Sequence, residues 1–415
     1  MTKYSLINCY SDNNKGDLGI ILSTIDYIRN NDHNADIIGV STYNYSDPSY
    51  HTEHVLLNKT IDVYPSIFGE LNIGHYKSQP IKLIKFFWET IRLILLLIIP
   101  VFISSKFLFS KNEKKTFLRL KESDYIISKG GSFICNDFNL RSKIALLRFV
   151  YIFLVSFKLN KKVIILNQSI GPVYGRFSIK IVNYILKKCD KVVLRENECI
   201  EQYQYLNFPK DTIISNDIAF YLETKEVITN FEDGNINIGI TMKYVDKGKE
   251  SEYQTMWIVF IEYILQNYKN TKIIIFNQVP IDNDIEASWR IYKEINDICK
   301  DKIVFMTNDY ESSMLKYLYG KMNFFVGTRL HSTIFAMGEL VPSISISYHG
   351  TKSEGIFKNM GVAEFVVKEY DYNVLINQFN KLFLHTDKCK DILKNKLSDY
   401  QAQMKMDFTK IFNDK

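Results

Sequence analysis

The sequence predicts an α/β protein made of two doubly wound parallel sheets, and three observations carry that expectation. The chain has 415 residues, too many for one ordinary hydrophobic core and enough for two domains that each bury a good one. Short apolar runs rich in Ile and Val recur along it, and each ends in a polar or glycine-containing corner. Segments with helical spacing, such as SIKIVNYILKKC and MWIVFIEYILQNY, lie between many of them. Strands apolar on both faces that alternate with helices form parallel sheets covered by helical layers.

In chain order the runs are YSLINCYSDNNKGDLG, DYIISKGGSF, KVIILNQSIGPV, KVVLREN, TIISNDIAF, INIGITMKY, KIIIFNQVPIDND, KIVFMTND, NFFVGTRLHS and SISISYHGTK. The charged, apolar-poor stretch ETKEVITNFEDGN precedes INIGI and divides the chain into an N-terminal domain, 1–228, and a C-terminal domain, 229–415. The segment DILKNKLSDYQAQMKMDFTKIF predicts a terminal helix. Open parallel sheets bind ligands beyond the carboxyl ends of their strands. The polar corners fall at those ends, so chemically capable residues stand where the architecture places ligands.

The composition, 46% hydrophobic and 24% charged, is that of a globular protein. Its net charge of +6 is local: residues 81–120 hold eight basic and two acidic side chains, which accounts for the whole excess. These basic residues flank an apolar stretch, LILLLIIPVFI at 93–103, instead of interleaving with aromatics as in a nucleic-acid-binding surface, so no nucleic-acid partner is expected. Eleven apolar residues fall short of the ~20 of a spanning helix. The readings are a core helix, an interfacial segment making peripheral contact with an anionic membrane through 81–120, and last a full span. The six cysteines show no paired spacing, and the amino end lacks an apolar signal region. Both point to the cytoplasm, at the inner face of the cell membrane if 81–120 is interfacial.

Among the corners, NNKGDLG places Gly16 and Asp17 between a strand and a helix, where backbone amides approach an anion or Asp17 caps the helix. SKGGS, with Gly130, Gly131 and Ser132, is a tight corner that serves close ligand approach or a plain turn. VVLREN ends a strand on Arg195, whose planar fork suits a carboxylate or phosphate. GTRLHS puts Arg329 and His331 at alternate positions, so in an extended segment both leave one face, ahead of a helix beginning near Thr333. Arginine and helix end would disfavour the charged imidazole until an anion binds, which suits a general acid working on an anionic substrate. His33, His51, His54, His75 and His385 read as loop or surface residues, and His349 is the one rival.

The ordered motifs KGDLG, KGGSF, QSIGPV, LREN, NDIAF and GTRLHSTIFAMGELVPSISISY make the sequence similar to the polysaccharide pyruvyl transferase family. The resemblance covers most of the chain. It implies two Rossmann-like domains facing across a cleft, in the manner of GT-B glycosyltransferases. It implies transfer of a pyruvyl group from phosphoenolpyruvate to a sugar of a surface polysaccharide, capsule or exopolysaccharide, or of its lipid-linked precursor, with a ketal formed and phosphate released. By motif, Arg195, Arg329 and the Leu330 backbone would hold the donor, with Lys243 and Lys352 as further donor-side candidates. His331 would be the acid/base residue, and Asp17, Gly130, Gly131 and Ser132 would face the acceptor. No metal and no cofactor are implied. The sequence departs from the family pattern at Cys199, where a serine is common, and at Ser132, where a glycine or apolar residue is common. Two alternatives stay open: a nucleotide-sugar glycosyltransferase using Asp282 and Asp284, and a non-catalytic membrane-associated scaffold.

Overall fold

The computed structural model describes residues 1–69, 79–100, 103, 107–229, 231, 234–245, 248–347 and 352–412, so His75 and His349 lie outside the described residues. The chain divides into two compact units. The first holds Met1–Asp12, Thr24–Ser215 and Ile411–Lys415, the second Asn13–Ser23 and Asn216–Lys410.

Among the described residues the first unit has eight strands, β1 (Lys3–Cys9), β2 (Asp36–Ser41), β3 (Val63–Tyr64), β4 (Tyr125–Ser128), β5 (Gly131–Ile134), β6 (Lys162–Ile170), β7 (Lys191–Leu194) and β8 (Ile213–Ile214). They run in the order β3-β2-β1-β4-β6-β7-β8, with β5 also paired to β6. The second unit has β9 (Ile236–Thr241), β10 (Thr271–Phe276), β11 (Ile303–Met306), β12 (Phe324–Gly327), β13 (Ser343–Ile346) and β14 (Val366–Val367), in the order β11-β10-β9-β12-β13-β14. The strand pairs are parallel. Each order reverses direction once, between β1 and β4 and between β9 and β12, and such a switch point opens a crevice for ligands.

The expectation of two parallel-sheet α/β units holds, with a helical carboxyl end. In β6, Ile164, Ile165 and Leu166 are all buried, as a central strand covered on both faces requires. The helices that matter below are α1 (Lys15–Asn31), α2 (Gln79–Ile98), α3 (Lys111–Glu122), α4 (Leu140–Lys158), α5 (Arg176–Lys188), α6 (Glu250–Asn267), α7 (Asp284–Glu294), α8 (Leu330–Gly338) and α9 (Thr386–Phe412).

Of the apolar stretch at 93–103, residues 93–98 form the end of an amphipathic helix, α2. Helix α2 presses Arg92, Leu93 and Leu96 into the first unit, where the Tyr151 hydroxyl donates to the Leu93 carbonyl (2.9 Å). Its other face leaves Ile84, Phe87, Trp88, Ile91, Ile94 and Ile98 in solvent. Each large apolar side chain so exposed forgoes roughly 1.5–3 kcal/mol of burial. No described helix is long and apolar enough to cross a membrane.

His54 is a correction to the surface reading. It is 1% exposed, packs on Tyr43 and Tyr50, and its Nε2 lies 2.7 Å from the Ser41 hydroxyl. Burial lowers its pKa to about 4, partly offset by Glu53. A depressed histidine means that the unfolded chain binds the extra proton first. The stability contributed by neutral His54 is therefore fully present above its ordinary value near 6.5 and is lost as pH falls through about 4. We expect the wild type to lose on the order of 3 kcal/mol over that window through this group. In His54→Gln the fall should be shallower, a difference that urea unfolding at stepped pH measures.

Candidate active site

The second unit's switch point lies between β9 and β12, and the GTRLHS corner leaves β12 there. Helix α8 starts at Leu330, with Arg329 as its extended N-cap residue, two to three residues earlier than the sequence suggests. This changes where the side chains go. Helical geometry from Leu330 onward separates Arg329 from His331, and the expected shared face is not formed.

Arg329 turns to α7. Its Nε donates to Asp284 Oδ2 (2.9 Å) and an Nη donates to Asp284 Oδ1 (2.5 Å), while Asp282 Oδ2 lies 2.9 Å from the guanidinium. Asp284 is fully buried, and burial raises its pKa to about 6 against the opposing pull of Arg329. The carboxylates of PIDND are thus engaged by the arginine of the corner.

His331 turns instead to α1 and to the NDIAF segment. Its Nε2 lies 3.7 Å from Asp217 Oδ2, and that nitrogen is buried without a hydrogen-bond partner. On the other side the ring abuts Gly16, where an added Cβ would fall 2.5 Å from His331 Nδ1. One turn further on, a Cβ at Gly19 would fall 2.6 Å from the Phe335 ring. The two glycines of KGDLG therefore let α1 approach α8 closely enough to hold the imidazole. Both helices point their amino ends at this place, where first-turn amides and helix dipoles favour negative charge. Gly16→Ala should displace the ring. With the fold retained, turnover should drop by about 10²-fold, the cost of misplacing a reacting group by roughly an ångström. A steady-state assay beside a melting curve checks this.

Asp217 is firmly seated. Its Oδ1 accepts from the Ala219 N–H (2.9 Å), and the preceding residue's carbonyl accepts from the Tyr400 hydroxyl of α9 (3.2 Å). The buried Lys316 ammonium donates to the carbonyls of Phe220 (2.9 Å) and Leu222 (2.6 Å), fixing the turn that follows. Sequence analysis assigned Asp217 no role, although NDIAF signalled a buried polar strand end. Asp17 stands in the first turn of α1 and is not its cap: Asn14 accepts from the Asp17 N–H (3.2 Å) and donates to its carboxylate (2.8 Å). Lys243 follows β9 and lines a cavity of about 430 Å³ with Lys249, Ser347, Lys368 and Tyr370. Lys352 opens the helix Lys352–Asn359.

In the first unit, Arg195 follows β7 and is 1% exposed. Its Nε donates to the Ser169 hydroxyl (2.5 Å) and lies 3.2 Å from Glu196 Oε2. Cys199 belongs to the core beside it: the thiol donates to Glu196 Oε1 (3.0 Å), accepts from the Ile170 N–H (3.3 Å), and is pushed up by burial. The Cys199 thiol thus packs in the core beside Arg195 and Glu196. The SKGGS corner sits where β4 gives way to β5 along β6. Gly131 has φ 125°, a conformation open to glycine. The Gln168 amide donates to the Lys129 carbonyl (3.0 Å) and accepts from the Phe133 N–H (3.1 Å), which pins Gly130, Gly131 and Ser132. The Ser132 hydroxyl is buried without a partner.

The sequence model of polysaccharide pyruvyl transferases matches residues 14–350, most of the chain and every corner described above. The chain belongs to the polysaccharide pyruvyl transferase family. One curated relative, the amylovoran biosynthesis protein AmsJ of Erwinia amylovora, is 23% identical over 264 residues, 59% of this chain and 61% of that protein. The chain thus matches about three fifths of the relative's length. Among solved structures, Anabaena Alr3699/HepE in complex with UDP-glucose aligns at TM-score 0.56 and 12% identity, over 99% of this chain and 100% of that one. A putative UDP-N-acetylglucosamine 2-epimerase of Listeria monocytogenes gives 0.57 at 10% identity, over 98% and 97%. A glycosyltransferase of Rickettsia africae gives 0.56 at 11%, over the whole of both chains. At such identities these likenesses speak for the fold alone, which is of GT-B type.

Proposed function

We propose that the protein transfers the pyruvyl group of phosphoenolpyruvate to a sugar of a surface polysaccharide or its lipid-linked precursor, as a ketal across two hydroxyls. The observation that carries this reading is the setting of His331, a titratable group held between two helix amino ends and a buried carboxylate. Family membership supplies the reaction class. A proton from His331 adds to the donor's methylene carbon, which leaves positive charge at the adjacent carbon. One sugar hydroxyl attacks there, phosphate departs, and the second hydroxyl closes the ketal. One hydroxyl proton ends on the new methyl group and the other leaves with phosphate. The helix ends favour the donor's negative charge, Arg195 of the first unit is a further donor-side candidate, and Asp217 steadies the imidazole as its charge changes. Arg329, through Asp284 and Asp282, fixes the corner beside the Leu330 backbone, and both Arg329 and Leu330 are donor-side candidates. Lys243 and Lys352 remain donor-side candidates, and the unpartnered Ser132 hydroxyl with Gly130 and Gly131 suits an acceptor hydroxyl, with Asp17 as a further acceptor contact.

Work on a lipid-linked precursor would place the protein at the inner face of the cell membrane. The nucleotide-sugar reading needs a carboxylate for ribose, and the two it would recruit, Asp282 and Asp284, are engaged by Arg329. Incubation with phosphoenolpyruvate and candidate glycans should give, by mass spectrometry, acceptor carrying one pyruvyl ketal. Unmodified acceptor across a broad glycan set would count against the proposal.

A further inference from the structure

The six exposed apolar residues of α2, Ile84, Phe87, Trp88, Ile91, Ile94 and Ile98, fall at helical spacings that put them on one stripe, each between 49% and 72% exposed. The same helix anchors its opposite face through Arg92, which donates to the carbonyls of Leu108 (3.1 Å) and Ile67 (3.3 Å). That arginine also engages both acidic residues of 81–120, Glu89 at 2.8 Å and Glu113 at 3.1 Å. The negative charge of the region is thereby drawn inward, while Lys111, Lys114 and Lys115 of α3 are exposed.

We propose that the apolar stripe of α2 is a docking face for an anionic phospholipid bilayer, flanked by the lysines of α3. An interfacial helix binds through buried apolar area plus attraction of basic residues to anionic headgroups, and this stretch supplies both. A second copy of the chain is the poorer occupant, because it would bring the same local charge of +6 against itself. The placement also has a use. The Glu89 carboxylate lies against Gly69, and Gly69 helps line a cavity of about 360 Å³ with Tyr10, Thr42, Arg141 and Arg148 at the carboxyl ends of β1 and β2. Docking through α2 brings that arginine-bearing cavity beside the lipid surface, where a lipid-linked saccharide presents its charged head. The docking rests on the helix and its charges and not on the transfer reaction. Vesicle binding needs no donor, and transfer to a water-soluble glycan needs no vesicle, so the two proposals fail separately.

The test is flotation of the full chain with phosphatidylglycerol and with phosphatidylcholine vesicles, together with tryptophan emission. Wild type should float with the anionic vesicles, less so at high salt, and its emission should shift to the blue unless Trp88 is replaced by Phe. Phe87→Ser/Trp88→Ser/Ile91→Ser should abolish flotation, and Lys111→Gln/Lys114→Gln/Lys115→Gln should weaken it at least ~10-fold. Both variants should melt like the parent, since the altered side chains are exposed. Absence of anionic-vesicle binding by a folded wild type would overturn the proposal. So would binding that survives both variants, or an apolar-stripe variant that merely turns a solution dimer into a monomer.

Discussion

His331→Ala is expected to lower turnover by about 10²–10⁴, the range associated with a positioned acid or base, while donor affinity stays close to that of the parent. The structure makes this a clean substitution. His331 Nε2 has no hydrogen-bond partner, so truncation orphans no buried partner atom and should leave the fold intact. Affinity should persist because the two helix amino ends remain. His331→Gln should be nearly as inactive, since an amide fills the space and donates a hydrogen bond but does not titrate. Asp217→Asn should cost less than either, because the imidazole itself remains and only the carboxylate 3.7 Å from the ring loses its charge. Turnover with calorimetry of phosphoenolpyruvate binding separates these outcomes. A folded His331→Ala protein that binds donor and turns over at the parent rate would assign the histidine a packing role.

Arg195→Ala should be the most damaging single substitution to stability in the first unit. The guanidinium is 1% exposed, and its removal leaves Glu196, itself fully buried, without its neighbouring positive charge. Breaking a buried pair in this way typically costs about 3–5 kcal/mol. Arg195→Lys keeps the charge and should fold, but it loses the planar fork and should bind phosphoenolpyruvate more weakly. Denaturant unfolding of the first variant and calorimetry of the second check the two halves. An Arg195→Lys protein with parental donor affinity would reduce Arg195 to a structural ion.

The strand ends were legible because a parallel sheet buries its strands on both faces. Runs such as KVIILNQSI and NFFVG stand out, and the corner that follows has to be polar. The strands β2, β3 and β14 are not among the runs read from the sequence. At the site, residue identity was visible but direction was not. Three extra helical residues before Thr333, starting at Leu330, were enough to part Arg329 from His331, and no spacing rule forecasts where a helix takes over from an extended turn. Gly16 looked like a ligand-approach glycine because the ring that fills the space belongs to a residue more than 300 positions away in the chain. His54 looked like a surface residue because nothing local reveals that Tyr43 and Tyr50 close over it. The apolar stretch at 93–103 drew attention to itself by composition, yet the informative stripe starts earlier, at Ile84, and shows only when the core-facing side of α2 is known. Leu96, inside the apolar stretch, is core.

Transfer from phosphoenolpyruvate is the central claim, and phosphate release on mixing donor with acceptor tests it most directly. The account predicts phosphate release that requires both the protein and a sugar acceptor, one phosphate for each ketal formed, with nucleotide sugars left untouched. Consumption of a nucleotide sugar with release of its nucleotide, and no phosphate from phosphoenolpyruvate under the same conditions, would contradict it.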